Sequence, residues 1–464
     1  MGESGSGKER EREKDVHLLV IIHGLWGSVT HVEQIVNSVT AQYTNQAATI
    51  EHELKVLCTK TNESDFTYDG IDMCSLRATE EIEAYISSLS PQRVTRFSIV
   101  GYSLGGLLAR YVIGALHSHS PSFFDKVQPV NFTTFASPAI GMPRYPNILS
   151  KIVNFFGTRL LSRTGEQIHV TDTYLAGKPL LEIMAQPGTS FYKGLSLFQQ
   201  KDVYANSMGD RSVPFATGAI PSDYRDPFAK AERIARSLAP DPNIEHVSLE
   251  AGGLFLEFHK DCQYIIKSMS KTKIPRLDPV EMHKSSRRSW RVPILPFFLR
   301  PSTFAAAPYG LGYILPFLMP VLLPSFLVYL ITRFLIQSRY SRQRIRAMVS
   351  KGDLSTLEGQ LRRVGLALED TFEEIAEVAF PADGDIGGDL GPDLADAAAT
   401  DALLTPAQKR MTDNFNSIPG LRKHLVYLPM ERNSHATIIC RDIRRDAHQK
   451  GLEILNWWSA RFVF

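Results

Sequence analysis

The chain has 464 residues, a formal net charge of +2 and four cysteines. Near-neutral charge removes any global electrostatic case for nucleic acid as a partner, and the length predicts a core domain with an insertion or second unit. Cys58, Cys74, Cys262 and Cys440 lie too far apart for a metal-ligand pattern. Without a secretory signal they read as reduced thiols in a cytosolic setting.

Residues 1–14, MGESGSGKEREREK, are polar and charged and read as a disordered tail. They fit the M-G-x-x-x-S pattern of myristoylation, although Glu3 makes a poor example of it. GESGSGKE has neither the preceding strand nor the glycine-to-lysine spacing of a phosphate loop. VHLLVIIHG (16–24) is a continuous apolar run rich in β-branched residues, which predicts a buried parallel strand. LKVLCTK (54–60) is a second strand and SLRATEEIEAYISSL (75–89) a helix. VTRFSIV (94–100) is a third strand, followed by a helix from Leu104 to about His117, and VNFTTFASP (130–138) is a fourth strand. This alternation predicts a doubly wound α/β sheet, mostly parallel, with helices on both faces. Around 145–163, YPNILSKIVNFFGTRLLSR puts its apolar residues on one helical face. It reads either as a core-facing helix or as a lid or membrane-facing helix.

Residues 222–290 are mixed and turn basic, whereas 301–332 hold no charged residue. Residues 381–402, acidic and rich in small residues, predict a disordered loop. HLVYLP (424–429) is a late strand and RDAHQKGLEILNWWSARF a closing helix. The predicted organisation is a tail (1–14), a first core segment (15–221), an insertion (222–403) and a closing core segment (404–464).

FSIVGYSLGGLLARYV (97–112) carries the chemistry. A serine hydroxyl needs an adjacent base and an exposed position to act as a nucleophile. A strand, then Gly101-Tyr102-Ser103-Leu104-Gly105, then a helix supplies that position, because small neighbours let the chain turn sharply at the tip of the sheet. The helix N-terminus adds free amides and partial positive charge. HGLWG (23–27) follows the first strand and can aim the Leu25 amide at the same point as the Leu104 amide, forming an oxyanion hole. In that arrangement His23 shapes the loop.

HGLWGSVTHVEQI, VGYSLGGLLARYVIG and FASPAIG together resemble the serine esterase family of the α/β-hydrolase superfamily, with its fungal lipases and lipid-droplet phospholipases. The resemblance covers roughly 15–220 and returns near 425–464. It implies an α/β-hydrolase with a large, partly hydrophobic helical insertion between the acid and base strands, cleaving carboxylic esters. Family members often carry histidine where this chain has Ala139, a departure that bears on loop packing.

The order of such a triad is serine, acid, histidine. KDVYANSMGDRSVPF (201–215) places Asp210 after a strand and turn, in the family's D-x-x-V-P pattern, whereas Asp202 sits at the wrong end of that strand. Two histidines compete for the base. His246 has ordinary spacing but no clear strand before it. His435 follows the late strand by a short loop and precedes the closing helix, and the family's C-terminal S-H-A pattern agrees with it. No metal or cofactor motif is present.

The uncharged run is long enough to span a bilayer at roughly 20 residues per crossing. A single crossing would separate His435 from Ser103. Pro316, Pro320 and Pro324, with basic residues flanking both ends, predict a proline-broken hairpin over about 292–337 that enters and leaves on one side. A double span starting at 292, or a hairpin packed on the core, are the alternatives. An apolar anchor suits a substrate held in a lipid surface. The expectation is therefore a serine lipase or phospholipase at lipid droplets or the endoplasmic reticulum membrane, with its catalytic domain cytoplasmic. The competing readings are a hydrolase of another acyl ester or thioester and a catalytically silent scaffold on lipid surfaces.

Overall fold

The computed structural model describes residues 15–145, 157–229, 254–271, 311–350, 402–428, 431 and 433–464. The tail, most of the 145–163 segment, His246, the first arm of the hairpin and the acidic loop all fall outside the described residues, except for Ala402 at the end of that loop.

Strand β1 (Val16–Ile22) is buried along its whole length. Leu18, Val20 and Ile22 enter one hydrophobic cluster, while Leu19 and Ile21 enter another. The twofold side-chain alternation of a strand thus feeds a core on each face, which is why this run is apolar throughout. Strands β2 (Glu53–Cys58), β3 (Val94–Tyr102), β4 (Gln128–Phe135) and β5 (Gln200–Asn206) join it. A hairpin of β6 (Leu254–His259) and β7 (Cys262–Lys271), and then β8 (Leu421–Val426), complete the set. The eight strands run in the order β2-β1-β3-β4-β5-β8-β7-β6. All pairs through β5–β8 are parallel, and β7 lies antiparallel to both β8 and β6.

Helices α2 (Ile71–Ser88) and α3 (Leu104–His117) cover one face; α3 is buried from Leu104 through Leu116. Helix α1 (Glu33–Gln46) and the closing helix (Asp446–Ser459) cover the other, where Ile35 and Val39 share a cluster with Ile454, Leu455 and Trp458. At about 25 cal/mol per Å² of apolar area buried, these two layers supply the main driving force for folding.

Two expectations change. Residues 254–271, predicted to belong to an insertion, form the β6–β7 hairpin, and Ile265 pairs with Val426 in the main sheet. The alternating pattern around the Lys260-Asp261 turn carries the signal. Secondly, residues 311–350 form one continuous helix of 40 residues that runs through Pro316, Pro320 and Pro324. A four-residue spacing stacks the three missing amides along one side, so the hydrogen-bond ladder survives elsewhere and the helix is not broken there. Among the described residues no helix is long and apolar enough to cross a membrane.

Candidate active site

Ser103 caps α3 with φ +56° and ψ −123°, a backbone region that ordinary residues avoid and that tight functional turns tolerate. Its amide donates to the Phe135 carbonyl at 2.9 Å, which ties the turn to β4. The turn closes only because its neighbours are small: a Cβ on Gly105 would sit 2.1 Å from the Ile22 carbonyl oxygen. The hydroxyl therefore stands at the C-terminal edge of the parallel strands, where ligands of open α/β sheets bind.

His435 arrives from the other end of the chain. It lies in a short helical turn, Ser434–Thr437, and its Nε2 is 3.0 Å from Ser103 Oγ. Its Nδ1 is 3.0 Å from Asp210 Oδ2. A carboxylate only accepts, so Nδ1 carries the proton and Nε2 is left as the acceptor facing the serine. Asp210 is fixed from three more directions. Oδ2 accepts from Asn206 Nδ2 at 2.8 Å, and Oδ1 accepts from the Ser212 and Val213 amides at 2.9 and 2.8 Å. The Ser434 hydroxyl donates to the Met208 carbonyl and the Tyr102 hydroxyl donates to the His435 carbonyl, both at 2.9 Å. The Tyr102 and His435 rings lie 5.1 Å apart.

The structure thus brings Ser103, Asp210 and His435 into one relay. His246 lies outside the described residues. Asp202 stands at the opposite end of β5, paired with Arg422 and His424. Although burial opposes it, the hydrogen bonds from His424 and Arg422 hold the Asp202 carboxyl below its ordinary range. Asn206 and Tyr102, which position the relay, were not predicted. Each directly abuts a motif, but nothing in the local pattern says where its side chain points.

The loop after β1 rises against the nucleophile. A Cβ on Gly24 would come within 2.8 Å of Ser103 Cβ, so only glycine lets the loop approach this closely. Leu25 follows it and is partly buried. The Leu25 amide makes no hydrogen bond among the described residues, and Leu104 opens α3, where amides have no intrahelical acceptor. His23 is buried, with Nδ1 3.0 Å from the Gly24 carbonyl oxygen. Burial lowers its pKa, outweighing that contact, so the ring is neutral and braces the loop. Ala139 is buried and its carbonyl accepts from Arg110 Nη1 at 2.7 Å.

The four cysteines are unpaired. Burial pushes the thiols of Cys58 and Cys440 up to about 11 and that of Cys74 to about 12, so they are poor nucleophiles. Among the described residues no cluster could hold a metal ion.

A parallel sheet with a strained serine turn after β3, an acid after β5 and a histidine after the last parallel strand defines an α/β-hydrolase of the serine type. Residues 12–223 match the family model described as Putative serine esterase (DUF676). It is similar to Putative lipase ROG1 of Saccharomyces cerevisiae, 27% identical over 274 residues, 58% of this chain and 38% of that protein. It is also similar to Putative lipase C4A8.10 of Schizosaccharomyces pombe, 28% identical over 214 residues, 45% of this chain and 26% of that protein. The matches therefore span well under half of these relatives. An extracellular alpha/beta-hydrolase of a Paenibacillus species overlaps 43% of this chain and 80% of its own, at a TM-score of 0.26 and 12% identity. The fold assignment rests on strand order and the serine turn rather than on that overlap.

Proposed function

We propose that this chain hydrolyses carboxylic esters by a serine acyl-enzyme mechanism and that its substrates are acyl lipids held in a membrane or lipid-droplet surface. The observation that carries the chemistry is the continuous Ser103–His435–Asp210 relay, with both links at 3.0 Å. His435 Nε2 takes the Ser103 proton as Oγ attacks the ester carbonyl carbon. Asp210 steadies the resulting imidazolium. The Leu25 and Leu104 amides stabilise the negative charge on the carbonyl oxygen. The tetrahedral adduct collapses, and His435 gives its proton to the departing alcohol. Water then enters, loses a proton to His435, and attacks the acyl-serine. The fatty acid leaves and Ser103 recovers its proton.

The lipid surface is favoured by the 311–350 helix, which exposes Val321, Leu322, Phe326, Val328 and Tyr329 to solvent. Exposed Arg333, Arg339, Arg342 and Arg346 follow. An apolar stretch next to a basic one matches a monolayer or bilayer face whose headgroups are anionic. Phospholipids and acylglycerols are the substrate class this supports, with the catalytic domain on the cytoplasmic face of lipid droplets or the endoplasmic reticulum.

The test is fluorophosphonate labelling of the full chain and of Ser103→Ala, with fatty acid release measured from phospholipid vesicles, acylglycerol emulsions and soluble short-chain esters. Labelling confined to Ser103 together with release from the lipid substrates is expected. Absence of labelling would identify a silent scaffold, and activity on soluble esters or thioesters alone would reject the lipid assignment.

A further inference from the structure

We infer that the 311–350 helix is a strut for the oxyanion loop as well as an apolar surface, so that its seating controls the position of the Leu25 amide. This rests on the esterase reading above. The observation behind it is contact between the helix and the loop that carries Leu25. The Trp26 ring stacks on Phe334 of the helix, with centroids 5.8 Å apart and planes 23° from parallel. Trp26 immediately follows Leu25 and is held at φ +52°. A residue in that conformation stays there only while its surroundings hold it.

A second route runs through the turn at 63–69. Arg344 of the helix donates to both carboxylate oxygens of Asp69, at 2.8 and 3.3 Å, and to the Asp65 carbonyl at 3.1 Å. Its guanidinium also lies 4.9 Å from the centre of the Phe66 ring. Asp69 is buried, and Arg77 from α2 also binds it, at 2.7 Å. The same turn grips the loop after β1 at three points. The Trp26 amide donates to Thr67 Oγ1 at 3.2 Å, the Ser64 amide to the Gly27 carbonyl at 2.9 Å, and the Val29 amide to Glu63 Oε1 at 2.9 Å. A chain of contacts therefore runs from Arg344 through Asp65 and Asp69 to Trp26, and from there one peptide to Leu25.

The helix is continuous, and its exposed apolar stretch from Leu318 to Tyr329 lies N-terminal to both contacts, with exposed Leu335, Ile336 and Tyr340 beside Phe334. From Val321 to Phe334 the rise is about 20 Å at 1.5 Å per residue. A lipid surface that takes up the apolar part pins one end of a lever whose other end is seated on Trp26 and Asp69. Phe334 and Arg344 are positioning residues in this scheme, since neither lies at the reacting atoms. Their effect reaches chemistry through the geometry of an oxyanion donor, whose full removal costs on the order of 10²–10³ in kcat.

The experiment compares wild type, Phe334→Ala, Phe334→Tyr and Arg344→Gln on a soluble short-chain ester in the absence of lipid. Amide hydrogen exchange is measured across residues 23–28. The expected result is about a tenfold loss of kcat, with KM unchanged, for Phe334→Ala and Arg344→Gln. Faster exchange in 23–28 should accompany it, and Phe334→Tyr should restore both. If soluble-ester kcat is unchanged and only vesicle hydrolysis falls, the helix is an anchor and the strut is rejected. Hydrogen exchange needs no turnover, so unaltered exchange in both variants rejects the coupling even if the esterase reading fails. Wild type that neither labels nor turns over overturns that reading by itself.

Discussion

Among the described residues two aspartate–histidine pairs lie on or just beyond β5 and β8, and one of the two has the surroundings of a catalytic relay. Asp210 and His435 follow the C-terminal ends of β5 and β8, at 3.0 Å. Asp202 and His424 lie within the strands themselves, at 2.8 Å. Asp210 accepts from amides and Asn206, neutral donors that leave its charge for the imidazole. Asp202 is bound by Arg422 at both oxygens, so its charge is already answered. Beyond His435 stands a hydroxyl on a strained turn; beyond His424 lie the rings of Tyr204 and Trp457. A cavity of about 210 Å³ opens beside this second pair, at the end of the sheet away from Ser103. The difference teaches that the pairing of acid and imidazole is not itself the functional unit. The unit is the pair together with the strand end that exposes it.

The comparison breaks most sharply at the histidines. His435→Ala, like Ser103→Ala, should lower kcat by at least ~10⁴-fold. His424→Ala should leave ester hydrolysis within about twofold, because it touches no reacting group; parallel loss in both would erase the distinction. Next come the acids. Asp210→Asn should cost about 10⁴-fold in kcat through the wrong imidazole tautomer. Asp202→Asn should keep activity and lower stability by about 2 kcal/mol, less than a fully buried pair because the Arg422 side chain is 49% exposed. Denaturant titration beside a rate assay separates the two outcomes.

A finer contrast concerns Asn206. Removing its hydrogen bond to the Asp210 carboxylate, worth about 1.5 kcal/mol, should reduce kcat about tenfold with KM unmoved. A separate contrast concerns acid stability. Burial lowers the pKa of His17 to about 3 and that of His169 to about 4. Below their ordinary 6.5 the unfolded chain therefore binds protons that the folded chain refuses. Stability should be level above pH 6.5 and fall as the pH drops towards 4. His17→Gln should flatten part of that slope in urea melts recorded across the range.

Much of the site could be read from local pattern. The serine turn announces itself because an apolar strand, a glycine-flanked serine and a helix are contiguous. Asp210 and His435 were readable because chain order and strand context constrain them, although they lie 225 positions apart. The β6–β7 hairpin was lost inside a stretch whose overall composition masked a short alternation. Taken singly, Pro316, Pro320 and Pro324 each read as a helix breaker, yet the helix runs through all three, and their four-residue spacing sets the missing amides along one side. Tyr102 and Trp26 act through His435 and Phe334, neighbours distant in sequence that no local pattern names; Asn206 lies only four residues from Asp210, but the direction of its side chain depends on the turn between them.

The adjacency of β5 and β8 has a consequence for cutting the chain. The nucleophile and acid belong to the segment before β6, and the base to the segment containing β8, yet their strands pair from Lys201↔Leu421 to Asn206↔Val426. Neither fragment produced by a break between the two segments would own a complete relay. Ester turnover by the mixed halves would then be a reporter of strand reassociation, turning the enzyme into its own complementation assay.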